Sequence, residues 1–77
     1  MSGNFYKDVE DLSNLLVERG YASLGDEIRL AVEASSTGTE IMMRLRKLFE
    51  DALDDTSLPD DIRARITPLL EGVNRVL

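Results

Sequence analysis

The residues best equipped for chemistry lie in two short stretches. In ASSTGTEI, Ala34 to Ile41, the hydroxyls of Ser35, Ser36, Thr37 and Thr39 crowd together ahead of an apolar run. A hydroxyl at a helix start serves as a nucleophile or attachment point when a base or a modifying enzyme activates it. The spacing from Thr37 to Glu40 is equally the S/T-x-x-E capping box, which starts a helix and does no chemistry. In the second stretch, EDALDDTSLPDD, the acids Glu50, Asp51, Asp54, Asp55, Asp60 and Asp61 stand with no Lys or Arg among them. Carboxylates so clustered bind calcium or exchange protons. A calcium loop, however, needs alternating acids, a central Gly and a closing Glu, and Pro59 interrupts the run. The expectation is therefore a solvated turn between helix ends, with no metal bound.

Composition removes most other chemistries. With no Cys and no His, the chain has no thiol nucleophile, no imidazole base, and no Cys or His ligands for zinc or iron–sulfur clusters. Acid–base work by carboxylates needs a desolvated cleft, for which 77 residues provide little material. No enzyme activity and no cofactor are expected. The formal charge of −6 disfavours nucleic acid, whose binding depends on Lys and Arg displacing counterions, and disfavours an anionic membrane for the same reason. The opening MSGNFYKDVEDL carries acids where a secretory signal has an apolar stretch, and Ser2 stands where N-myristoylation requires Gly. The expected setting is the cytoplasm.

The elements that position these residues are helical. Phe5, Val9, Leu12 and Leu16 recur at spacings of four, three and four, which places them on one face. Asn4 is the expected N-cap, and Gly20 the stop, with Arg19 beside the negative end of the helix dipole. A second helix is expected from Ser23, capped with Asp26, with Leu24, Ile28, Ala31 and Val32 inward. Ser, Thr and Gly between residues 34 and 38 lower helix propensity and predict a break there. A third helix then runs from Thr37 with Ile41, Leu45, Leu48 and Ala52 on its core line and Met42, Phe49 and Leu53 widening it. Arg44, Arg46 and Lys47 have acids four residues away, at Glu40, Glu50 and Asp51, and read as a solvated face. Pro59, Asp60 and Asp61 start a fourth helix, whose inner face is Ile62, Ile66, Leu69 and Val73. Pro68 predicts a kink between Ala64 and Pro68, with Thr67 capping a second piece. Val76 and Leu77 continue the apolar stripe and are expected to be docked, either on the chain's own bundle or on another subunit. The whole is one all-α domain over 1–77, a compact bundle of three to four short helices.

The segment SSTGTEIMMRLRKLFED resembles the attachment region of carrier proteins, which are also small, acidic and helical and hold a prosthetic arm on a Ser at a helix start. That resemblance implies modification of Ser36. The chain departs from the family pattern in two places. The usual Asp-Ser-Leu is here Ser35-Ser36-Thr37, and the recognition helix, acidic in that family, carries Arg44, Arg46 and Lys47.

An acidic helical domain without reactive groups is expected to act by presenting a surface, with its field speeding the approach of basic partners. The leading expectation is a non-enzymatic interaction module, in particular an inhibitor or immunity-type antagonist of a basic protein. The alternative is a structural or regulatory subunit of a homo-oligomer, a homodimer in the simplest case. Off-stripe apolar residues locate the contact: Leu30 lies far from Leu24 and Ile28 on the helical wheel, Met43 opposite its core line, and Tyr6 beside the first stripe. Tyr21, Asp54 and Asp55 complete the expected partner-binding set. Since capping accounts for the hydroxyl stretch, intact mass should stay unchanged after incubation with coenzyme A and a phosphopantetheinyl transferase. An increment equal to the arm would instead make this a carrier protein.

Overall fold

The computed structural model describes residues 4–77; Ser2 and Gly3 lie outside the described residues. Among the described residues there are four helices: α1 (Asn4–Glu18), α2 (Ala22–Glu33), α3 (Gly38–Asp54) and α4 (Asp60–Val76). Each packs on its chain neighbours, and α4 returns to α1, which closes a ring around one core. Arg19 at the end of α1 meets Asp61 at the start of α4, while Phe5 lies against Gly72 near the end of α4, so these two helices are antiparallel. With connections of three to five residues, this is the up-down-up-down bundle of short-looped helical domains. The Cα radius of gyration is 11.4 Å, close to the ~11.5 Å of a well-packed chain of this length. No described helix is long and apolar enough to cross a membrane.

The core is the set of stripes read from periodicity, with one shift. Leu12, Leu16, Ile28, Leu45, Phe49, Ile62, Ile66 and Val73 are fully buried. In α3, however, the core line is Met42, Leu45, Phe49 and Ala52, while Ile41 and Leu48 are only half-buried. The stripe of α3 is wide enough that two neighbours, α2 and α4, decide which of its edges is covered more deeply. Leu58, in the connection before α4, is also buried. No periodic run marks it in the sequence.

The first turn sets where α2 begins. Gly20 has φ of 92°, its N–H donates to the Val17 carbonyl, and the Tyr21 N–H donates to the Leu16 carbonyl at 2.8 Å. These are the paired bonds of the Schellman motif, in which the residue after the glycine packs back on the helix. Tyr21 is accordingly half-buried against the core. Because this motif reverses the chain within three residues, α2 starts at Ala22, before Ser23. The expected Ser23–Asp26 cap does not form; Tyr21 occupies the cap position without a side-chain bond. Asn4, for its part, is the first residue of α1, and the position preceding it lies outside the described residues.

The break between 34 and 38 is present, and Thr37 is the N-cap that starts α3, while the Glu40 carboxylate pairs with Arg44 rather than reaching back to complete a capping box. The Glu40 N–H donates to Thr37 Oγ1 at 3.1 Å, with Thr37 extended at φ −136° and ψ 159°. Ser35 Oγ turns back to the Ala31 carbonyl and closes the end of α2. In α4 the helix continues through Pro68 to Val76. Thr67 caps no second piece: its hydroxyl donates to the Arg63 carbonyl within the same helix. Val76 and Leu77, expected to be docked, are 53% and 46% exposed. The packing of Phe5 on Gly72 marks where α1 begins, and α4 extends past that level.

The closest approach in the bundle is between α1 and α2. Ser13 Oγ donates to the Gly25 carbonyl at 2.7 Å, and a Cβ placed on Gly25 would lie 2.8 Å from the Ser13 carbonyl oxygen and 3.0 Å from Val17 Cγ2. Gly inside a helix costs about 1 kcal/mol relative to Ala, but here the missing side chain admits the neighbouring backbone. Gly25→Ala should therefore destabilise by about 1–3 kcal/mol through overpacking, despite its gain in helix propensity. Gly38, with nothing near its Cβ position, supplies the contrast. Gly38→Ala should leave stability unchanged or raise it by less than about 1 kcal/mol. Urea unfolding of the two variants reads both, and equal effects would remove the close approach as the reason for Gly25.

Candidate partner-binding surface

The bundle's two looser seams, α2 with α3 and α1 with α4, leave wider openings than the tight α1–α2 contact. One is a groove of about 710 Å³ between α2 and α3, floored by Ala31 and Leu48 and flanked by Leu30, Met43, Glu27, Glu40, Arg44 and Lys47. Leu30 is 57% and Met43 54% exposed. They project from the two helices into one opening, so the structure brings together two of the residues that the sequence separates by thirteen positions. Around them the charges are partly spent: Arg44 holds Glu40 at 3.1 Å and Lys47 holds Asp51 at 3.2 Å. The third expected pair, Arg46 with Glu50, is not formed, whereas Lys7 and Asp11 pair on α1.

The other expected contact residues lie elsewhere. Tyr6 stands at the edge of the 320 Å³ hollow between α1 and α2, with its ring edge-on to Phe5 at a centroid distance of 5.4 Å. Tyr21 belongs to the cap described above. Asp54, the last residue of α3, and Asp55, the first of the connection to α4, are exposed to solvent. The six thus divide among separate regions: Leu30 and Met43 share the α2–α3 groove, Asp54 and Asp55 share the α3–α4 end, and Tyr6 and Tyr21 stand apart from the groove.

The end of the bundle that holds Asp54 and Asp55 is strongly acidic. The bond between Arg19 and Asp61 brings the α1–α2 turn to the α3–α4 connection, so Glu18, Asp54, Asp55, Asp60 and Asp61 share one end. Two of these carboxylates have structural partners. Asp55 accepts from the Ser57 N–H at 2.9 Å and the Ser57 hydroxyl at 2.6 Å. Those bonds hold its pKa below the ordinary carboxylate value. Asp61 accepts from Arg19 Nη2 at 2.8 Å and is likewise lowered, first by that hydrogen bond. Arg63, the other cation here, is half-buried and donates to the Leu53 carbonyl at 2.9 Å. Glu18, Asp54 and Asp60 have no ion-pair or hydrogen-bonded side-chain partner among the described residues. Among those residues, too, no group of three acids is placed to hold a metal ion. The hydroxyl stretch resolves into structure as well: Thr37 and Ser35 are engaged at the helix ends, and Ser36 faces solvent between them.

Comparison with protein-family models, with curated proteins and with solved structures finds no match to this chain. Function is therefore argued from the surfaces themselves.

The lowered pKa values have a pH consequence whose direction follows from linkage. A carboxylate that is more acidic folded than unfolded stabilises the fold where it is charged in both states, and that stabilisation is lost as pH falls through the native value. The contributions of Asp55 and Asp61 should thus be complete above about pH 5 and fade below about pH 4. Asp61→Asn should flatten the fall in Tm between pH 6 and pH 3 relative to the parent, and salt should shrink the difference because the pair is exposed. An unchanged acid limb in the variant would dismiss the Arg19–Asp61 bond as a contributor.

Proposed function

We propose that this chain is a non-enzymatic interaction module that binds a basic protein through the acidic end of its bundle, in the manner of an inhibitor or immunity-type antagonist. The observation that carries the reading is the gathering of Glu18, Asp54 and Asp60 at one end, in solvent and without side-chain partners, beside Asp55 and Asp61. Carboxylates left so can pair with an arriving guanidinium or ammonium group without first giving up a side-chain partner in this chain. The excess of 15 acids over 9 bases adds a field of the same sign over the whole molecule, which accelerates encounter with a cationic surface. Connections of only three to five residues leave the backbone that carries these acids little freedom to lose on association. A basic active site or nucleic-acid-binding face on the partner is the surface that such an end would cover.

Affinity capture from the native host tests this, with the parent chain compared with an Asp54→Lys, Asp60→Lys double variant. A partner of basic isoelectric point should be retained by the parent at low salt, released as salt rises through physiological strength, and lost at least about tenfold by the variant. Both positions are exposed; Asp54→Lys at the last residue of α3 should not destabilise, while Asp60→Lys at the first residue of α4 should cost about 0.3–1 kcal/mol through the helix dipole, which leaves the fold intact. A partner that ignores salt, or that the double variant retains equally, would sink the reading.

A further inference from the structure

We propose that this chain opens at the α2–α3 connection and exchanges halves with a second copy, forming a domain-swapped dimer in which α2 and α3 run as one continuous helix over 22–54. The bundle is built from two tight hairpins, α1 with α2 and α3 with α4, and the seams between the hairpins are the looser ones. Only the connection at 34–37 joins the two halves covalently. The occupant of each opened seam is therefore already defined. It is the hairpin surface that covers the seam in the closed chain, supplied by the other copy. Such an exchange recreates the helix-on-helix contacts of the monomer and closes at two copies.

The connection is suited to act as the hinge. Ala34 already lies in the right-handed helical region, and its N–H donates to the Leu30 carbonyl as it would inside a helix. Thr37, extended, interrupts the path and holds the start of α3 through the one bond from the Glu40 N–H. A joined helix gives up that bond. In exchange it pairs the last carbonyls of α2 with the first N–H groups of α3, which lack intrahelical partners while the chain is closed.

The exposed side chains follow the same polarity. Because the helices alternate in direction, the start of α1 and the end of α4 lie at the end of the bundle that carries the 34–37 connection, opposite the acidic end. Tyr6, Val76 and Leu77 are exposed there, and Leu30 and Met43 lie within about two turns of the connection. In the swapped dimer the two lobes stand end to end at the hinge, with residues 34–37 spanning about 6 Å between them. Val76 and Leu77 project past the level of Phe5, so the pair from each copy fills that gap and becomes covered. The acidic ends point outward at the two tips and oppose nothing, so this inference does not rest on the antagonist reading.

Refolding at about 1 mM, the scale of effective concentration that a short connection imposes on the closed form, should give a dimer separable by size exclusion, whereas refolding at about 1 μM should give monomer. Ser36→Ala with Thr37→Ala removes the cap and raises helix propensity in the hinge, and should lower the midpoint concentration at least about tenfold. Inserting Gly-Ser-Gly-Ser after Ser36 breaks the continuous helix while leaving the closed fold free to form, and should abolish the dimer. In a dimer refolded from isotope-labelled and unlabelled chains, isotope-filtered NOEs should connect the Phe5 ring of one chain with Gly72 of the other, a pair that meets within one chain when closed. A parent monomeric at about 1 mM, an alanine hinge with no gain, a lengthened hinge that dimerises as the parent does, or Phe5–Gly72 contacts confined to single chains would each overturn the proposal.

Discussion

The approach of α2 to α1 at Gly25 and Ser13 is the constraint on which the rest of the bundle depends. A helix backbone comes within contact distance of another only where side chains are absent or small. Here a glycine and a serine meet, and the serine hydroxyl finds an acceptor in the glycine carbonyl. Among the described residues Ser13 is the one polar side chain that is fully buried, and the bond to Gly25 satisfies it. The Schellman turn at Gly20 delivers α2 directly into this contact. With α1 and α2 locked in this way, α3 and α4 pack as a second pair. The ring then closes through two looser seams, and the groove beside Leu30 and Met43 follows from one of them.

Charge follows the same division between what supports the fold and what remains for solvent. Arg19 and Asp61 join the two connections at one end; Asp55 shapes its own turn with Ser57; Asp60 and Asp61 sit where the positive end of the α4 dipole favours them. Each exposed pair contributes little by itself. Their effect is to fix how the acidic side chains are arranged, and so to concentrate negative charge at one end while the α2–α3 flank keeps both signs. The molecule therefore carries two surfaces of different character, an acidic end and a flank of mixed charge around Leu30 and Met43.

The N-cap at Thr37, the glycine stop at Gly20, the helix start after Pro59 and most of the apolar stripes were all legible in the sequence. These depend on residues within one turn of each other, and local chemistry determines them. The displacement of the α3 core line toward Met42 and Phe49 was not legible, because Ile41 and Leu48 satisfy the same period and only the neighbouring helices choose between the two edges. Leu58 gave no periodic signal, and Ser23 carried the right residue type for a cap that the preceding turn had already pre-empted. Of the expected contact residues, exposure could be read from the helical wheel for Tyr6, Leu30 and Met43. That Leu30 and Met43 share one groove while Tyr6 stands apart could not.

The amino-acid order alone thus determined an all-helical chain, the positions where it turns, its acidity and its lack of thiol and imidazole chemistry, because each is a property of composition or of contacts a few residues apart. Tertiary structure decided which helices touch, that Gly25 is a point of close packing rather than a weak spot in a helix, and which distant side chains meet at the surface. The physical reason is range. Periodicity specifies the face that a helix buries, but the partner it meets depends on how all four stripes share one interior, and no segment carries that information by itself.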